Sequence, residues 1–229
     1  ANCFGESGVR SLFGGAASRL VVTEQKVLPV SNHLGPQAVL LALAATAYHA
    51  VSGGGAGEPY APPELIVGHG VMGRLLARLT VAAGLPAPTV WETNLQRRQG
   101  DHGYPVIDPQ DDARKDYGAV YDVSGDASLL DTLIQRLRPG GEVVLAGFYH
   151  QPLQFAYAPA FMREARIRVA AEWKRADLLA VDALVRDGLL SLDGLITHTE
   201  PCERAPEAYV TAFGDAACLK MILDWSACA

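Results

Sequence analysis

The sequence predicts an α/β fold built on a doubly wound parallel sheet. Short Val, Ile and Leu runs, typical of strands buried on both faces, alternate with amphipathic helices over most of the chain. A GxGxxG turn joins one of these strands directly to the next helix. The 229 residues, 49% hydrophobic and 19% charged, suffice for one large core or two small ones. These three observations together exclude a disordered chain.

The alternation also sets the order of the elements. A helix is predicted at 36–51, with Pro36 suited to its first turn, followed by a glycine- and proline-rich loop at 52–63. The strands predicted after this loop are 65–67, 89–91, 106–107, 119–123, 142–146 and 166–171. The helices predicted between and after them are 71–83, 94–99, 128–137 and 177–187. The tail predicts a smaller unit, with a strand-like 195–197, a helix at 203–213 and a strand at 219–224, which would pair with an opening strand at 18–23.

The most informative motif is the GxGxxG loop at 68–73, which follows a predicted strand and opens a helix. In such a loop Gly68 allows a tight turn, Gly70 lets a pyrophosphate approach the backbone, and Gly73 lets the helix pack on the strand. The free N–H groups of the helix N-terminus then face the phosphates. The motif therefore predicts a dinucleotide site.

An acidic residue at the end of the next strand bears on the choice of dinucleotide. Glu92 lies 19 residues after Gly73, where a carboxylate can accept both hydroxyls of the adenosine ribose and would repel a 2′-phosphate. Arg97 and Arg98 could instead hold such a phosphate. We weigh Glu92 more heavily, so the pattern favours NAD over NADP.

Two other strand ends belong to the same predicted crevice, because ligands of open α/β sheets lie outside the carboxyl ends of the strands. One is Ser124 with Gly125, and the other begins at Gly147. Each glycine permits close approach of an adenine or nicotinamide ring. We therefore include Ser124 and Gly147 among the candidate cofactor-binding residues.

The composition of the chain bears on which kinds of partner the protein could bind and on the cellular compartment in which it would be found. A net charge of −6 without a basic run argues against nucleic acid. The longest apolar run, 38–50, is interrupted by polar residues and too short to span a membrane. The four cysteines lack metal-ligand or CxxC spacing, and no export signal is evident, so we expect reduced thiols and a cytoplasmic protein. The glycine-rich start at 1–15 is typical of the middle of a domain, and we expect an upstream part to be missing.

Longer strings carry a family resemblance. LALAATAY at 41–48, GHGVMG at 68–73, LRPGGEVVLAG at 137–147 and GLITH at 194–198 together resemble the medium-chain dehydrogenase/reductase superfamily. LFGGAASRLVV at 12–22, YDVSGDA at 121–127, FMREARIR at 161–168 and AFGDAACLKM at 212–221 resemble, more narrowly, its bacteriochlorophyllide dehydrogenase family. The match spans the whole chain.

The resemblance implies NAD-dependent oxidation of the C3 1-hydroxyethyl group of a (bacterio)chlorophyllide, a tetrapyrrole, to an acetyl group. It implies a Rossmann domain at 46–171 and a partial, β-rich GroES-like catalytic domain formed by 1–45 and 172–229. A homodimer paired through the cofactor-domain sheet is implied as well. With the residues argued above, the candidate cofactor contacts are Gly68, His69, Gly70, Val71, Met72, Gly73, Glu92, Arg97, Ser124, Gly147 and Lys220.

The resemblance also bears on catalysis. Thr46 would lie beside the nicotinamide, and Ala42 stands where zinc-dependent relatives carry a ligand, so we expect no metal. Tyr48 and His49, followed by Tyr149 and His150, are the local candidates for removing the hydroxyl proton. Arg163, Arg166 and Arg168 are candidate partners for the propionate of the macrocycle.

Two other functions remain open at this point. One is a zinc-free reductase of the same superfamily that acts on enones or quinones with NADPH, against which Glu92 argues. The other is a non-catalytic NAD(H)-binding sensor. Cofactor binding without turnover would favour the sensor.

Overall fold

The computed structural model describes residues 16–21, 24, 27–52 and 60–228, and its contacts divide the chain into two compact units. The larger unit is Val39–Asp193, and the smaller combines the chain up to Ala38 with the chain from Gly194 onward. The Rossmann domain was predicted at 46–171. The larger unit also contains the whole of the helix at 41–52, which the boundary at 45/46 would cut, and the helix at 175–186, which the boundary at 171/172 would exclude. The assignment of the smaller part to a catalytic domain stays a prediction.

A six-stranded parallel sheet forms the centre of the larger unit, as predicted. The strands are β1 Leu65–Val67, β2 Thr89–Trp91, β3 Val106–Ile107, β4 Tyr117–Asp122, β5 Leu137–Leu145 and β6 Arg166–Val169. Their spatial order is β3-β2-β1-β4-β5-β6, and all five pairings are parallel. The chain therefore changes direction across the sheet between β1 and β4, which creates a crevice at their carboxyl ends.

The helices agree with the predicted alternation, with differences at their ends. They are α1 Leu41–Ser52, α2 Val71–Ala82, α3 Leu95–Arg98, α4 Leu130–Arg136, α5 Tyr157–Met162 and α6 Arg175–Arg186. Helix α1 packs against α2 and α6, and α4 packs against α5. The sequence missed α5, because six residues including Pro159 are too few to show a helical period.

The hydrophobic core lies between the sheet and its helices. Residues 117–122 of β4 are all buried, as expected for a central strand covered on both faces. One cluster of the core consists of Leu65, Val67, Trp91, Tyr117, Val120, Leu130, Leu133, Ile134, Leu137, Val143, Leu145 and Ala160. This core fixes the strand ends that bear the site.

The predicted helix at 36–51 is two elements in the structure. A 3-10 segment, Asn32–Leu40, has a non-helical Gly35 with φ 48°, and α1 begins at Leu41. Together Asn32–Ser52 are long and apolar enough to cross a membrane by length and composition alone. Within α1, however, Ala44, Ala45 and Ala47 are buried, and the helix packs on α2 and α6. We interpret α1 as a core helix.

The smaller unit contains a parallel strand–helix–strand motif: β7 His198–Pro201, α7 Ala205–Gly214 and β8 Met221–Asp224. The predicted strand at 195–197 was placed too early, and β7 and β8 pair with each other in the part of the chain that the structure describes. Residues 18–21 of the predicted opening strand are not a strand, and 22 and 23 lie outside the described residues.

The cysteines correct another expectation. Cys202 is disulfide-bonded, whereas reduced thiols were predicted, and Cys218 is a buried free thiol. Sequence spacing did not indicate this bond, because disulfide formation depends on the distance between the cysteines in the fold.

Candidate functional site

The candidate site lies along the carboxyl edge of the sheet, at the ends of β1, β2, β4 and β5. Gly68 follows β1, Glu92 follows β2, Ser124 lies just beyond β4, and Gly147 just beyond β5. The fold thus brings together four chain segments that the sequence predicted separately.

The glycine loop has the geometry its motif predicts. Gly68 adopts φ +100°, and a Cβ there would lie 3.3 Å from the Cα of Ser124. A Cβ on Gly73 would lie 1.8 Å from the carbonyl oxygen of Gly68, so no larger residue fits. At Gly70, in contrast, a Cβ would have no atom within 4 Å. The first and third glycines are required for packing, and the second leaves the space that a pyrophosphate needs.

The amino terminus of α2 meets this open space. Gly70 is its N-cap residue, with φ −75° and ψ −169°, and offers no side chain to cap the helix. Val71 and Met72 begin the helix and are partly buried. The first N–H groups of a helix lack intrahelical acceptors, and the helix dipole favours an anion there. The geometry of the cradle thus suits a phosphate group, and its binding there stays a prediction.

Glu92 is held in place by the glycine loop itself. Its carboxylate accepts the backbone N–H of His69 at 3.1 Å through Oε2 and that of Asn94 at 2.8 Å through Oε1. The residue is 8% exposed. Both oxygens keep further lone pairs, which can accept the hydroxyls of a ribose. The sequence predicted the acid but not its direct bond to the loop.

His69 is a structural residue beneath the loop. Its Nδ1 lies 2.8 Å from the carbonyl oxygen of Arg97, which can only accept, so Nδ1 carries the proton and Nε2 accepts from the Tyr104 hydroxyl at 3.0 Å. Burial, together with the positive charge of Arg74, lowers the pKa of His69 to about 3. The imidazole is therefore neutral and fully engaged, which supports a role in shaping the cofactor loop.

Three arginines lie on the helices next to the glycine loop and Glu92: Arg74 on α2, and Arg97 and Arg98 on α3. Arg74, which is not among the predicted site residues, donates to the carbonyls of His69 at 3.2 Å and of Arg97 at 3.3 Å. Burial lowers the pKa of Arg74 below its usual range. Arg98 forms an ion pair with Asp108 at 2.5 Å, and Arg97 is partly exposed. The position of Arg74 directly after Gly73, in the first turn of α2, was the available signal in the sequence.

The catalytic candidates lie on α1. Thr46 donates its hydroxyl to the carbonyl of Ala42 at 3.0 Å, and Tyr48 is partly buried. His49 places Nδ1 2.8 Å from Oδ2 of Asp177 at the start of α6. This contact gives His49 a structural role in joining α1 to α6, and its catalytic role stays a prediction.

The remaining candidates are found in different surroundings. Lys220 belongs to the smaller unit, where its carbonyl accepts the N–H of Thr197 at 3.1 Å, and its contact with a cofactor stays a prediction. Arg168 donates to the carbonyl of Ala50 at 3.1 Å and stacks on Tyr60 at 3.6 Å, so it is engaged within the fold. Arg163 donates to Gln135 at 3.3 Å. No group of three or more potential metal ligands occurs among the described residues.

Two curated proteins are similar to nearly the whole chain. The 2-desacetyl-2-hydroxyethyl bacteriochlorophyllide A dehydrogenase of Rhodobacter capsulatus is 58% identical over 225 residues, which are 98% of this chain and 70% of the relative. The protein of the same name from Cereibacter sphaeroides is 54% identical over 231 residues, 100% of this chain and 71% of the relative. No family model matches the chain.

Solved structures with low sequence identity share the fold. L-idonate 5-dehydrogenase of Escherichia coli superposes with a TM-score of 0.76 at 19% identity, covering 89% of this chain and 61% of its own. A putative zinc-binding dehydrogenase of Sinorhizobium meliloti bound to NADP has a TM-score of 0.78 at 18% identity. The match covers 92% of this chain and 66% of that structure. An E. coli alcohol dehydrogenase complexed with NADH superposes with a TM-score of 0.71 at 17% sequence identity. The match covers 87% of this chain and 62% of that structure. The chain thus spans about three fifths of the first of these structures.

Fold, glycine loop and relatives define the class: a medium-chain alcohol dehydrogenase, an oxidoreductase acting on CH–OH groups, with a cradle that fits a nicotinamide dinucleotide. Within this class the chain belongs to the family of the 2-desacetyl-2-hydroxyethyl bacteriochlorophyllide A dehydrogenases.

Proposed function

We propose that this protein oxidises the C3 1-hydroxyethyl group of a bacteriochlorophyllide to an acetyl group with NAD. The identity of 58% to a relative named for this substrate supports the tetrapyrrole. The observation that carries the choice of NAD is Glu92, whose carboxylate is fixed by the N–H groups of His69 and Asn94. A fixed negative charge at this position accepts ribose hydroxyls and repels a 2′-phosphate.

The reaction removes a hydride and a proton from a secondary alcohol. A bound nicotinamide would supply the acceptor for the hydride of the carbinol carbon, and the hydroxyl proton would go to a base or to solvent. In this proposal the glycine loop and the start of α2 bind the pyrophosphate, with Ser124 and Gly147 lining the cofactor crevice. Thr46 and Tyr48 are proposed to lie at the nicotinamide end, and Lys220 to contact the pyrophosphate. No metal ion takes part.

The test follows both chromophores at once. Full-length enzyme is mixed with 3-hydroxyethyl bacteriochlorophyllide a and NAD, and the Qy band of the macrocycle is recorded with NADH absorbance. We expect the band to shift with equimolar NADH and without loss of rate after chelator treatment. NADP in place of NAD serves as the control and should react at least tenfold more slowly. An unchanged band while NADH still binds would contradict the proposed substrate and favour the sensor.

A homodimer in the cytoplasm completes the proposal. Strand β6 is an edge strand whose Val169 is 71% exposed, and neighbouring α5 exposes Tyr157, Phe161 and Met162. An apolar sheet edge of this kind suits pairing with a second copy. Val169→Asp should convert full-length enzyme to monomers in light scattering, and Leu179→Asp on exposed α6 should not. Dimers that persist in V169D would contradict this pairing.

A further inference from the structure

We propose that Tyr149, acting through Asp122, is a positioning residue for the crevice in which the nicotinamide half of the cofactor would lie. The proposal deepens the proposed function and rests on it. Neither residue belongs to the glycine motif. Both lie at strand ends where Ser124 and Gly147 were predicted to contact the cofactor.

The two residues join the ends of β4 and β5. Asp122, the last residue of β4, is 1% exposed. Its Oδ2 accepts the Tyr149 hydroxyl at 2.9 Å, while Oδ1 accepts the N–H and the hydroxyl of Ser124 at 2.9 and 2.7 Å. The carbonyl of Asp122 also accepts the N–H of Ala146 at 2.9 Å. One buried carboxylate thus connects the loop after β4 to the loop after β5.

The connected loops are in close contact with each other. A Cβ on Gly147 would lie 3.2 Å from the backbone nitrogen of Gly125. A Cβ on Gly125 would lie 2.8 Å from the carbonyl oxygen of Phe148. A side chain at either glycine would therefore crowd the backbone of the neighbouring loop, and the two loops approach each other closely at these positions.

The same loop touches the glycine motif from the other side. The backbone of Ser124 would lie 3.3 Å from a Cβ on Gly68. Residues 123–125 are therefore enclosed between the loop after β1 and the loop after β5. The hydrogen bond between Asp122 and Tyr149 therefore sets the width of the crevice opposite the pyrophosphate cradle.

The chemistry of the Tyr149 hydroxyl favours a role as a hydrogen-bond donor to Asp122 over a role as the catalytic base. Burial and the adjacent carboxylate of Asp122 raise the pKa of the Tyr149 hydroxyl above its usual value. Burial also raises the pKa of Asp122. The hydroxyl thus stays a hydrogen-bond donor. This argues against Tyr149 as the proton acceptor, a role that the sequence allowed.

The same strand provides a matched control. Tyr117 is the first residue of β4, 1% exposed, and donates its hydroxyl to Oδ2 of Asp112 at 2.7 Å. Both tyrosines thus give a hydrogen bond to a buried aspartate, but at opposite ends of one strand. Removal of either hydroxyl removes a donor to a buried aspartate, and of the two tyrosines only Tyr149 lies at the predicted cofactor edge.

The experiment compares Tyr149→Phe with Tyr117→Phe in the full-length enzyme. We expect Y149F to raise the Kd for NADH, measured by fluorescence, and the KM for NAD by at least fivefold, with kcat changed less than twofold. Y117F should lower the melting temperature at least as much as Y149F and leave both cofactor constants within twofold. NADH binding needs no tetrapyrrole, so it remains informative if the proposed substrate is wrong.

Two outcomes would overturn the proposal. One is a Y149F enzyme with unchanged Kd and KM, and the other is an equal rise of these constants in both variants, which would reflect general loosening. If Y149F does not fold, Asp122→Asn provides the second variant, since its amide nitrogen replaces one of the two carboxylate oxygens and cannot accept, so the side chain no longer accepts from both Tyr149 and Ser124. D122N should then raise the Kd for NADH, and an unchanged Kd would refute the positioning role.

Discussion

Glu92 and Asp122 lie at the ends of β2 and β4, the two strands that flank β1 and its glycine loop, and they differ in what holds them. Glu92 accepts two backbone N–H groups, from His69 and Asn94. Asp122 accepts a backbone N–H and two side-chain hydroxyls, from Ser124 and Tyr149. Glu92 is 8% exposed and Asp122 1%. Two carboxylates at comparable strand ends are therefore held differently: Glu92 by backbone N–H groups alone, and Asp122 also by the hydroxyls of Ser124 and of Tyr149 from a second loop.

The largest effect should come from the glycine loop between the two carboxylates. Gly73→Ala would force a Cβ to within 1.8 Å of the Gly68 carbonyl oxygen, so we expect a loss of at least about 3 kcal/mol in the free energy of unfolding. Gly70→Ala, where a Cβ has no atom within 4 Å, is the matched control. It should leave thermal unfolding of the free enzyme unchanged and weaken NADH binding. Equal melting temperatures for the two variants would contradict the observed packing.

Acidification should lower the free energy of unfolding through His69, whose backbone N–H holds Glu92. Its folded pKa of about 3 lies below the unfolded value of 6.5, so the neutral ring stabilises the fold above pH 6.5, and this contribution is lost as pH falls toward 3. At pH 5 the loss is about 2 kcal/mol. Urea unfolding of the enzyme at pH 7.5 and 5.0 measures it.

His69→Gln should reduce this pH dependence, since the titrating group is gone. His33→Gln, at an exposed position, is the control and should retain the full dependence. A wild-type slope in H69Q would assign the effect to other groups.

Cofactor choice separates the two carboxylates most directly. Glu92→Gln removes the charge that faces the ribose, and we expect about a tenfold higher KM for NAD, or roughly 1.4 kcal/mol, with a smaller penalty for NADP. Asp122→Asn should affect both cofactors equally, because Asp122 positions loops. Initial rates with NAD and NADP for both variants give the ratio. An unchanged NADP/NAD ratio in E92Q would contradict the role of Glu92.

The smallest effect concerns the bridge between α1 and α6. His49→Gln removes a contact of 2.8 Å to Asp177, and we expect a loss of about 1 kcal/mol with kcat retained. Asp177→Asn is the control and should give a similar loss. Calorimetry and steady-state kinetics of the full-length variants test this. A tenfold fall in kcat for H49Q alone would instead support the predicted role as a base.

The sequence anticipated the elements whose causes are local. Residues 65–92 contain a buried strand, a glycine turn, a helix and an acid at fixed spacings, and the structure reproduces this order. Long, periodic α2 was predicted within one residue of its observed end at Ala82. The six-residue α5 was missed, since so short a segment shows no period.

Contacts between residues far apart in the chain could not be predicted from the sequence, for a different reason. The bond of Tyr149 to Asp122 joins residues 27 apart in the chain, and the contact of His49 with Asp177 joins residues 128 apart. Neither pairing has a characteristic spacing, so both depend on how strands and helices pack. The disulfide of Cys202 escaped for the same reason.

By itself the sequence determined the class of fold, the glycine turn and the family, because short-range sterics dictate which turn needs glycine and strand–helix periodicity dictates the layers. The tertiary structure decided which carboxylate is held by backbone N–H groups alone and which also joins two loops through side-chain hydroxyls. That distinction depends on the hydrogen-bond donors that packing brings to each strand end. Glu92 meets N–H groups of its neighbouring loops, and Asp122 meets the hydroxyl of Tyr149 from the next strand.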